Sequence, residues 1–403
     1  MFFEFDDSDL MKAKIKVVGV GGAGGNAINR MIESNLVGVE FIAVNTDAQD
    51  LDNNLAEIKL QIGKGLTKGL GAGADIDIGR RAVDEDHELV EQTLKGADMV
   101  FITAGMGGGT GTGAASSIAR MAKELGALTV GIISRPFIFE GKHRATRAEV
   151  GIAELRRHCD TTLVIPNETL LRITDTATTF SEALKLADSI LHQATRGISD
   201  LINIHGLINL DFADVRAIMI DMGDAIMGTG IGRGEERAIL AAQQAISSPL
   251  LADSHIRGAR GLLVNVTGDS SLTLHEVNDA ASIINEEAGP EANVIFGAVI
   301  DKNLTDEFRI TVIATGFSKQ IEDNAEGENT ANRYSLQNPH VMAERSSMLR
   351  VEHELTPQSR FDRLTPFQTG LNSHQHNEDE HESVIHYGED LEVPAVLRYR
   401  VAP

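Results

Sequence analysis

Short apolar runs alternate with helical stretches from Ile15 to about Gly206. The strand candidates are continuously apolar or rich in β-branched residues, as buried parallel strands are; they are Ile15–Val20, Glu40–Asn45, Met99–Ala104, Leu128–Ile133 and Thr162–Ile165. The stretches between them have helical spacing and comprise Asn26–Glu33, Gly79–Leu94, Ala114–Leu125 and Arg144–His158. This alternation predicts an α/β fold with a doubly wound parallel sheet, which binds ligands at the carboxyl ends of its strands.

A long amphipathic helix is predicted next. Its apolar residues recur at steps of four and three over about 25 residues, or ~37 Å at 1.5 Å per residue; they are Phe180, Leu184, Ala187, Leu191, Ala194, Ile198 and Leu201. We expect this helix to be a central strut between two domains. Beyond it we predict strands at Gly261–Thr267, Ala292–Ile300 and Phe308–Thr315, and helices at Val215–Ile220, Glu235–Ile246 and Leu274–Glu287. This smaller second domain is interpreted as α+β.

The composition changes after Gly316, where Glu, Asn, Gln, Ser and His dominate without a sustained period. Such a composition is typical of a disordered linker. The short apolar segment Asp390–Arg400 is interpreted as a partner-docking peptide, the alternative being residual hydrophobic sequence without a partner. The predicted organisation is a flexible N-terminus (1–14), a ligand-binding domain (15–178), the central helix (179–206), a second domain (207–316), the linker (317–386) and the docking peptide (387–403).

Composition and charge exclude several classes of protein. The 403 residues carry a net charge of −23, which disfavours a broad electrostatic grip on nucleic acid or anionic lipid. The single cysteine, Cys159, excludes an internal disulfide framework and fits a reducing compartment. No run of ~20 apolar residues and no basic leader are present, so we expect a soluble cytoplasmic protein without membrane insertion.

A glycine loop follows the first predicted strand. The segment Gly19–Asn26 lets a phosphate approach the backbone, and the helix behind it offers unpaired N–H groups. The spacing Gly19-x-Gly21-x-x-Gly24, with Asp47 about 20 residues further on, matches the dinucleotide fingerprint. Alone, this loop is compatible with a dinucleotide, with another nucleotide, or with a tight turn that binds no ligand.

A second glycine cluster follows the strand Met99–Ala104. Its core Gly107–Gly113 contains five glycines and two threonines, which can wrap a polyphosphate with N–H and hydroxyl donors. A dinucleotide-binding fold does not require a second phosphate-binding loop at this place. The P-loop pattern is also absent, because neither Gly-Lys pair has the required glycine before it. We therefore predict a nucleoside triphosphate held mainly by backbone donors. A third glycine loop, Lys68–Ala74, either completes this cradle or is a plain mobile loop.

On these residues the chain resembles the tubulin/FtsZ family of GTPases. The resemblance rests on Gly107–Gly113 together with Asn209–Val215, and it extends to Asn45–Ala48, Pro136–Gly141 and the terminal peptide. It implies a tubulin-like fold in which 15–178 binds GTP or GDP with Mg²⁺ and 207–316 supports activation and polymerisation. It further implies polymerisation-dependent hydrolysis of GTP to GDP and phosphate, and head-to-tail filaments that form the mid-cell ring of bacterial cell division. It also implies that membrane-attached division adaptors and division regulators bind Asp390–Arg400.

The resemblance also implies which residues contact the nucleotide. Phosphate contacts are expected from Gly22, Ala23, Gly24, Gly25, Asn26, Gly107, Gly108, Gly109, Thr110, Gly111, Thr112 and Gly113. Ala72, Gly73 and Ala74 are expected near the γ-phosphate, Glu140 and Arg144 at the ribose and phosphates, and Asn167 and Asp188 on the guanine. By spacing alone, Glu140 and Arg144 equally predict a surface ion pair, and Asp188 a solvated helix position.

The family usually has an aromatic residue that covers the guanine face at the position of Leu184. Leucine still offers apolar contact, but it lacks the stacking contribution of a ring. We expect this departure to lower nucleotide affinity without changing the preference for guanine.

The family assigns catalysis to the loop that contains Asn209, Asp211 and Asp214, which polarises the attacking water. Spacing alone also fits Asp211 as a helix N-cap with Asp214 in the first turn. Asp211 follows Asp188 by 23 residues, which corresponds to ~35 Å along a mostly helical path. A carboxylate at that distance reaches the nucleotide of a stacked neighbour and not its own, so we expect hydrolysis in trans.

Two other classes of function fit parts of the sequence. A NAD-dependent oxidoreductase would use the first glycine loop alone, and a non-polymerising regulator would bind the nucleotide without assembling. Hydride-transfer activity distinguishes the first from a GTPase, and light scattering after addition of GTP and Mg²⁺ distinguishes the second.

Overall fold

The computed structural model describes residues 13–172, 174, 177–204, 206–208, 210–251, 256–302 and 304–317. Their strands are β1 Ile15–Val20, β2 Val39–Asn45, β3 Ile58–Gln61, β4 Met99–Gly105, β5 Leu128–Arg135, β6 Thr161–Pro166, β7 Gly223–Arg233, β8 Gly261–Gly268, β9 Asn293–Ile300 and β10 Glu307–Thr315. Their helices are α1 Gly21–Glu33, α2 Ala48–Asp52, α3 Lys64–Thr67, α4 Ile76–Glu85, α5 His87–Leu94, α6 Thr110–Glu124, α7 Lys142–His158, α8 Asn167–Leu170, α9 Phe180–Asn203, α10 Phe212–Met219, α11 Arg237–Ile246 and α12 Leu274–Ala288.

The ten described strands form one sheet in the order β3-β2-β1-β4-β5-β6-β7-β10-β8-β9. Within it, β10 runs antiparallel to β7 and β8, and the other neighbouring pairs are parallel. In the central strand β1, Val20 is level with Val44 of β2 and Ala104 of β4. The predicted fold class is confirmed, and the strand order places the loops after β1 and β4 side by side.

The sequence pattern fails to predict two strands and the division of one predicted helix into two. The helix predicted over Gly79–Leu94 is wrong, because α4 and α5 separate at Asp86, whose carboxylate accepts a hydrogen bond from the N–H of Gly63 at 2.7 Å. A local period cannot reveal a side chain that is recruited by a distant turn. The short edge strand β3 and the long strand β7 were not predicted.

The hydrophobicity pattern does not identify β7 because Gly228, Gly230 and Gly232 occupy alternate positions on the face that packs on α11. A Cβ atom at any of these glycines would lie too close to a main-chain carbonyl oxygen of α11. The distances would be 2.1 Å at Gly228, 1.9 Å at Gly230 and 1.8 Å at Gly232. The backbone of α11 therefore lies directly on the strand, with no room for a side chain between them. This close packing requires glycine, a residue type that is otherwise depleted in strands.

The predicted central helix is confirmed as α9, and it packs against α1 and against strands of both halves of the sheet. Its apolar stripe is buried from Ala187 to Leu201. The first two residues of the predicted stripe differ, since Phe180 is 63% exposed and Leu184 is 40% exposed. The amino-terminal turns of α9 thus present apolar surface that the fold itself does not cover.

No helix in the described ranges is both long enough and apolar enough to span a membrane. The predicted flexible N-terminus falls largely outside the described residues, as do the linker after Phe317 and the docking peptide 387–403.

Candidate functional site

Two helices with uncapped amino termini begin next to each other at the carboxyl edge of the sheet. Helix α1 follows β1, helix α6 follows β4, and neither has a side chain that caps its first N–H groups. Since β1 and β4 are paired in register, both helix ends open toward the same space. Unpaired N–H groups and two positive dipole ends make this space suitable for a strongly anionic ligand.

The first glycine loop forms the opening turn of α1. Gly24 is buried against β4, because a Cβ there would lie 2.4 Å from the carbonyl oxygen of Thr103. Gly22 and Ala23 are exposed, Gly25 is partly exposed beside Asn54, and Asn26 is exposed. Gly24 thus allows α1 to pack closely on β4, whereas the exposed Gly22 leaves the amino terminus of α1 accessible to a ligand.

The second glycine loop uses some of its own donors internally. Gly107 donates its N–H to Thr112 Oγ1 at 2.8 Å, and Gly109 donates its N–H to the carbonyl oxygen of Gly73 at 2.9 Å. Within the described residues, the N–H of Gly108 and those of the first turn of α6 have no such partner. The predicted cradle therefore has fewer available donors than its seven residues suggest.

Other members of this loop are packed rather than open. A Cβ at Gly111 would lie 2.8 Å from the carbonyl oxygen of Gly105, and one at Gly113 would lie 2.1 Å from that of Ile76. The hydroxyl of Thr110 is 2.6 Å from that of Thr46 at the end of β2. Thr46 belongs to the same edge, and its position directly after a buried strand is the sequence signal that could have identified it.

The third glycine loop docks on the second. A Cβ at Gly109 would lie 2.8–2.9 Å from carbonyl oxygens that belong to Ala72, Gly73 and Asp75. Ala72 is buried, whereas Gly73 and Ala74 are exposed at the rim. The loop therefore closes one side of the open space between α1 and α6.

Glu140 and Arg144 lie beside this space and form an ion pair. Arg144 Nε is 2.9 Å from Glu140 Oε2, and Glu140 Oε1 accepts the N–H of Phe137 at 2.9 Å. The i,i+4 ion pair is thus present, and Glu140 also fixes the short turn that precedes α7. Glu140 belongs to the turn that follows β5, and Arg144 to the first turn of α7.

Two polar groups mark a second part of the site. Asn167, the first residue after β6, is 7% exposed, and its Oδ1 has no hydrogen-bond partner among the described residues. Burial raises the pKa of the Asp188 carboxyl on α9 to about 6, and the charge of Arg30 opposes this only in part. An orphaned acceptor and a poorly solvated carboxylate are groups that a ligand with N–H donors would satisfy.

Aromatic rings connect the turn before α7 to the start of α9. Phe139 stacks on the buried Phe137 with centroids 5.0 Å apart, and it contacts Phe180 edge-on at 5.9 Å. The neighbouring Ile138 donates its N–H to Glu168 Oε2, next to Asn167. The sequence pattern does not identify Phe139 and Phe180 as site residues, although Phe180 is the first residue of the apolar stripe of α9.

Asp211 and Asp214 lie elsewhere. Asp211 is the N-cap of α10 and accepts the N–H of Asp214 at 2.8 Å, so the capping interpretation holds. Both carboxylates are exposed. The helical path from Asp188 to Asn203 alone covers ~22 Å at 1.5 Å per residue, and the chain then pairs with β9 through Leu207 and Ile208. Asn209 lies outside the described residues.

Comparisons with known proteins agree with this geometry. The family model "Tubulin/FtsZ family, GTPase domain" matches residues 14–175, and "FtsZ family, C-terminal domain" matches residues 223–318. A solved FtsZ dimer from M. jannaschii, without ligand, is 44% identical with a TM-score of 0.74; the match covers 76% of this chain and 89% of that one.

More distant structures share the fold. The GDP-bound monomer of CetZ1 from Haloferax volcanii is 21% identical with a TM-score of 0.66, over 75% of this chain and 94% of its own. The GTPγS-bound protofilament of CetZ2 from the same organism is 20% identical with a TM-score of 0.64, over 79% and 99%. The strand order β3-β2-β1-β4-β5-β6 is also that of dinucleotide-binding sheets, so topology alone does not choose between ligands, whereas the family matches do.

The raised pKa of Asp188 predicts a stability effect in the ligand-free protein. Its ordinary pKa is 3.8, so between pH 4 and 6 the folded state holds a proton that the unfolded chain has lost. Stability therefore falls as pH rises through this window, and the full cost is present above pH 6. Asp188→Asn should raise the free energy of unfolding at pH 7.5 by about 1–2 kcal/mol, a value discounted for partial exposure.

Urea unfolding at pH 7.5 and 4.5 measures this effect. The advantage of the Asp188→Asn variant should shrink at the lower pH. The control Asp84→Asn removes an exposed carboxylate from α4 and should unfold like the parent protein at both values. A less stable Asp188→Asn variant at pH 7.5 would show that the carboxylate is well solvated or paired in the folded state.

Proposed function

The chain belongs to the tubulin/FtsZ family of GTPases, and its two family matches and its 44% identity to FtsZ assign it to the FtsZ branch. From this premise we propose that it polymerises head to tail into cytoplasmic filaments that form the bacterial division ring. The observation that carries the proposal is that the exposed carboxylates of α10 follow α9, whose helical path from Asp188 to Asn203 covers ~22 Å. Each subunit then holds one half of a hydrolytic site at each end.

The phosphates of GTP fit the space between α1 and α6. The available N–H groups come from the opening turns of these helices and from Gly108, with the loop Ala72–Ala74 nearest the γ-phosphate. Such donors are fixed before the ligand arrives, so no reorganisation is needed as charge develops on the phosphate. Glu140 is suited to accept hydrogen bonds from ribose hydroxyls, while Arg144 contributes positive charge.

Guanine is the base that satisfies the second part of the site. The Asp188 carboxylate can accept hydrogen bonds from guanine N1–H and from its exocyclic amine, which adenine cannot supply in this arrangement. A bound donor would also compensate the desolvation that raises the pKa of Asp188. Asn167 Oδ1 is a further acceptor without a partner in the described residues.

The exposed apolar surface at the start of α9 suits the face of a purine. Leu184 lies one turn before Asp188 and is 40% exposed, and the Phe139–Phe180 pair lies next to it. Covering this surface with a flat ring removes apolar area from water. Leu184 makes this contact without the stacking that an aromatic residue would add.

Hydrolysis is proposed to take place between subunits. In a head-to-tail stack, the exposed Asp211 and Asp214 of one subunit approach the γ-phosphate that the next subunit holds, with Asn209 in the same loop. A carboxylate in this place orients a water molecule and accepts its proton as the water oxygen attacks phosphorus in line with the leaving β-phosphate oxygen. Assembly would then be a condition of turnover.

A magnesium ion is expected to arrive with the nucleotide. Within the described residues, no three side chains of His, Cys, Asp or Glu are grouped so that they could hold a metal ion. The ion would be held mainly by phosphate oxygens and water, and it would neutralise charge on the β- and γ-phosphates when bound.

Substitutions of Asp211 separate its capping role from catalysis. Asp211→Asn keeps an oxygen that can accept the N–H of Asp214, so the free energy of unfolding should change by less than about 0.5 kcal/mol. Loss of the carboxylate should lower GTP turnover by about 100-fold or more. Asp211→Ala should lose both the cap, at about 1 kcal/mol, and the activity.

Mixing experiments then test action in trans. Asp211→Asn subunits hold GTP but lack the carboxylate, whereas Asp188→Ala subunits keep Asp211 but bind guanine poorly. The two should regain turnover together wherever they alternate in a filament. The proposal fails if Asp211→Asn hydrolyses GTP at the parental rate, or if the mixture stays inactive although both proteins sediment in the same polymer.

The docking peptide is proposed to bind the adaptors that attach the ring to the membrane. Deletion of 390–403 should abolish binding of such an adaptor in a pull-down while GTP turnover and sedimentation of polymer stay at parental values. Retained adaptor binding by the shortened chain would contradict this role of Asp390–Arg400.

A further inference from the structure

A side chain on α7 holds the second glycine loop from outside. Arg147 donates its Nε–H to the carbonyl oxygen of Gly107 at 3.0 Å. The same helix covers Gly107, since a Cβ there would lie 2.7 Å from Arg144 Cγ and 2.8 Å from the Arg144 carbonyl oxygen. Gly107 has a φ of +101°, which glycine adopts without strain. Its peptide group is thus fixed on one side by α7.

Because the peptide group is planar, the hydrogen bond from Arg147 to Gly107 also sets the direction of the N–H of Gly108. The carbonyl of Gly107 and the N–H of Gly108 belong to one planar, trans peptide group, in which they point in opposite directions. With the carbonyl turned to Arg147, the N–H of Gly108 is turned away from α7. That N–H has no partner among the described residues, and a Cβ on Gly108 would meet no atom within 4 Å. Gly108 therefore leaves its N–H available to a ligand.

The other N–H groups of this loop are anchored differently. Those of Gly107 and Gly109 are hydrogen-bonded to Thr112 and Gly73, and those that follow belong to the rigid first turn of α6. Between these anchors, the peptide that joins Gly107 to Gly108 depends for its orientation on Arg147. Hydrogen bonds from a guanidinium are roughly twice as strong as those between neutral groups, which suits a single clamp.

We propose that Arg147 is a positioning residue that orients the N–H of Gly108 toward the phosphates of the bound nucleotide. The inference rests on the proposed function, because it requires a phosphate-bearing ligand in the cradle. Its action is through the Gly107 carbonyl and does not depend on direct attraction between the guanidinium and the phosphate.

Two substitutions separate these two modes of action. Glutamine carries its amide nitrogen at the same place along the side chain as arginine carries Nε, so Arg147→Gln keeps the donor and loses the charge. Methionine has a methyl group at that place, so Arg147→Met loses both. The control Arg157→Met removes an exposed arginine from the same helix, ~15 Å further along its axis.

Calorimetric titration of the full chain with GDP and with guanosine measures the effect. Arg147→Met should weaken GDP binding about tenfold, as expected when one charge-assisted hydrogen bond and the donor that it orients are lost. Guanosine has no phosphate, so its affinity should not change. Arg147→Gln should stay within about threefold of the parent for GDP, and Arg157→Met within about twofold.

Several outcomes would overturn the positioning role. Unchanged GDP affinity in Arg147→Met would mean that the clamp is not needed, and equal losses in the Met and Gln variants would mean that charge alone acts. Equal weakening of GDP and guanosine would indicate a general structural role. If the parent protein binds GDP no more tightly than guanosine, the phosphate cradle and with it the proposed function fail, which is a different result from failure of Arg147.

Discussion

The in-register pairing of β1 with β4 is the constraint on which the rest of the site depends. It places the ends of two parallel strands at one level, so that α1 and α6 begin side by side and both leave their first N–H groups open. A parallel sheet brings strand ends together without any requirement on side chains. In the proposed function, backbone N–H groups therefore bind the anionic ligand, and the side chains around it are free to select the base and to hold the loops.

Glycines also allow backbone segments around the site to pack directly on one another. Gly24 lies on the carbonyl of Thr103, Gly109 on the third glycine loop, and Gly113 on α4, each at a distance that excludes a Cβ atom. The same device recurs far from the cradle, where α11 lies on the glycine face of β7. Glycine here serves contact between elements as much as contact with a ligand, which explains why only part of each glycine loop presents free donors.

The sequence predicts those features that follow from local pattern. Continuous apolar runs identify β1, β2, β4, β5 and β6, and the four–three spacing identifies α9. It does not reveal β7, in which glycines replace side chains where the strand packs on α11, or the break at Asp86, which depends on a turn 23 residues away in sequence. The helical spacing of apolar residues also cannot show that Phe180 and Leu184 remain exposed to solvent. The clamp from Arg147 to Gly107 joins residues 40 positions apart, and such contacts appear only in the fold.

The central claim is that each subunit holds its nucleotide at one end of α9 and offers its carboxylates at the other, so that neither end suffices alone. The most direct test is GTP turnover per subunit, measured across a dilution series while light scattering reports assembly. Turnover per subunit should be negligible below the concentration at which polymer forms and should rise with the assembled fraction. Equal turnover per subunit in dilute, monomeric protein would contradict the division of the site between neighbours.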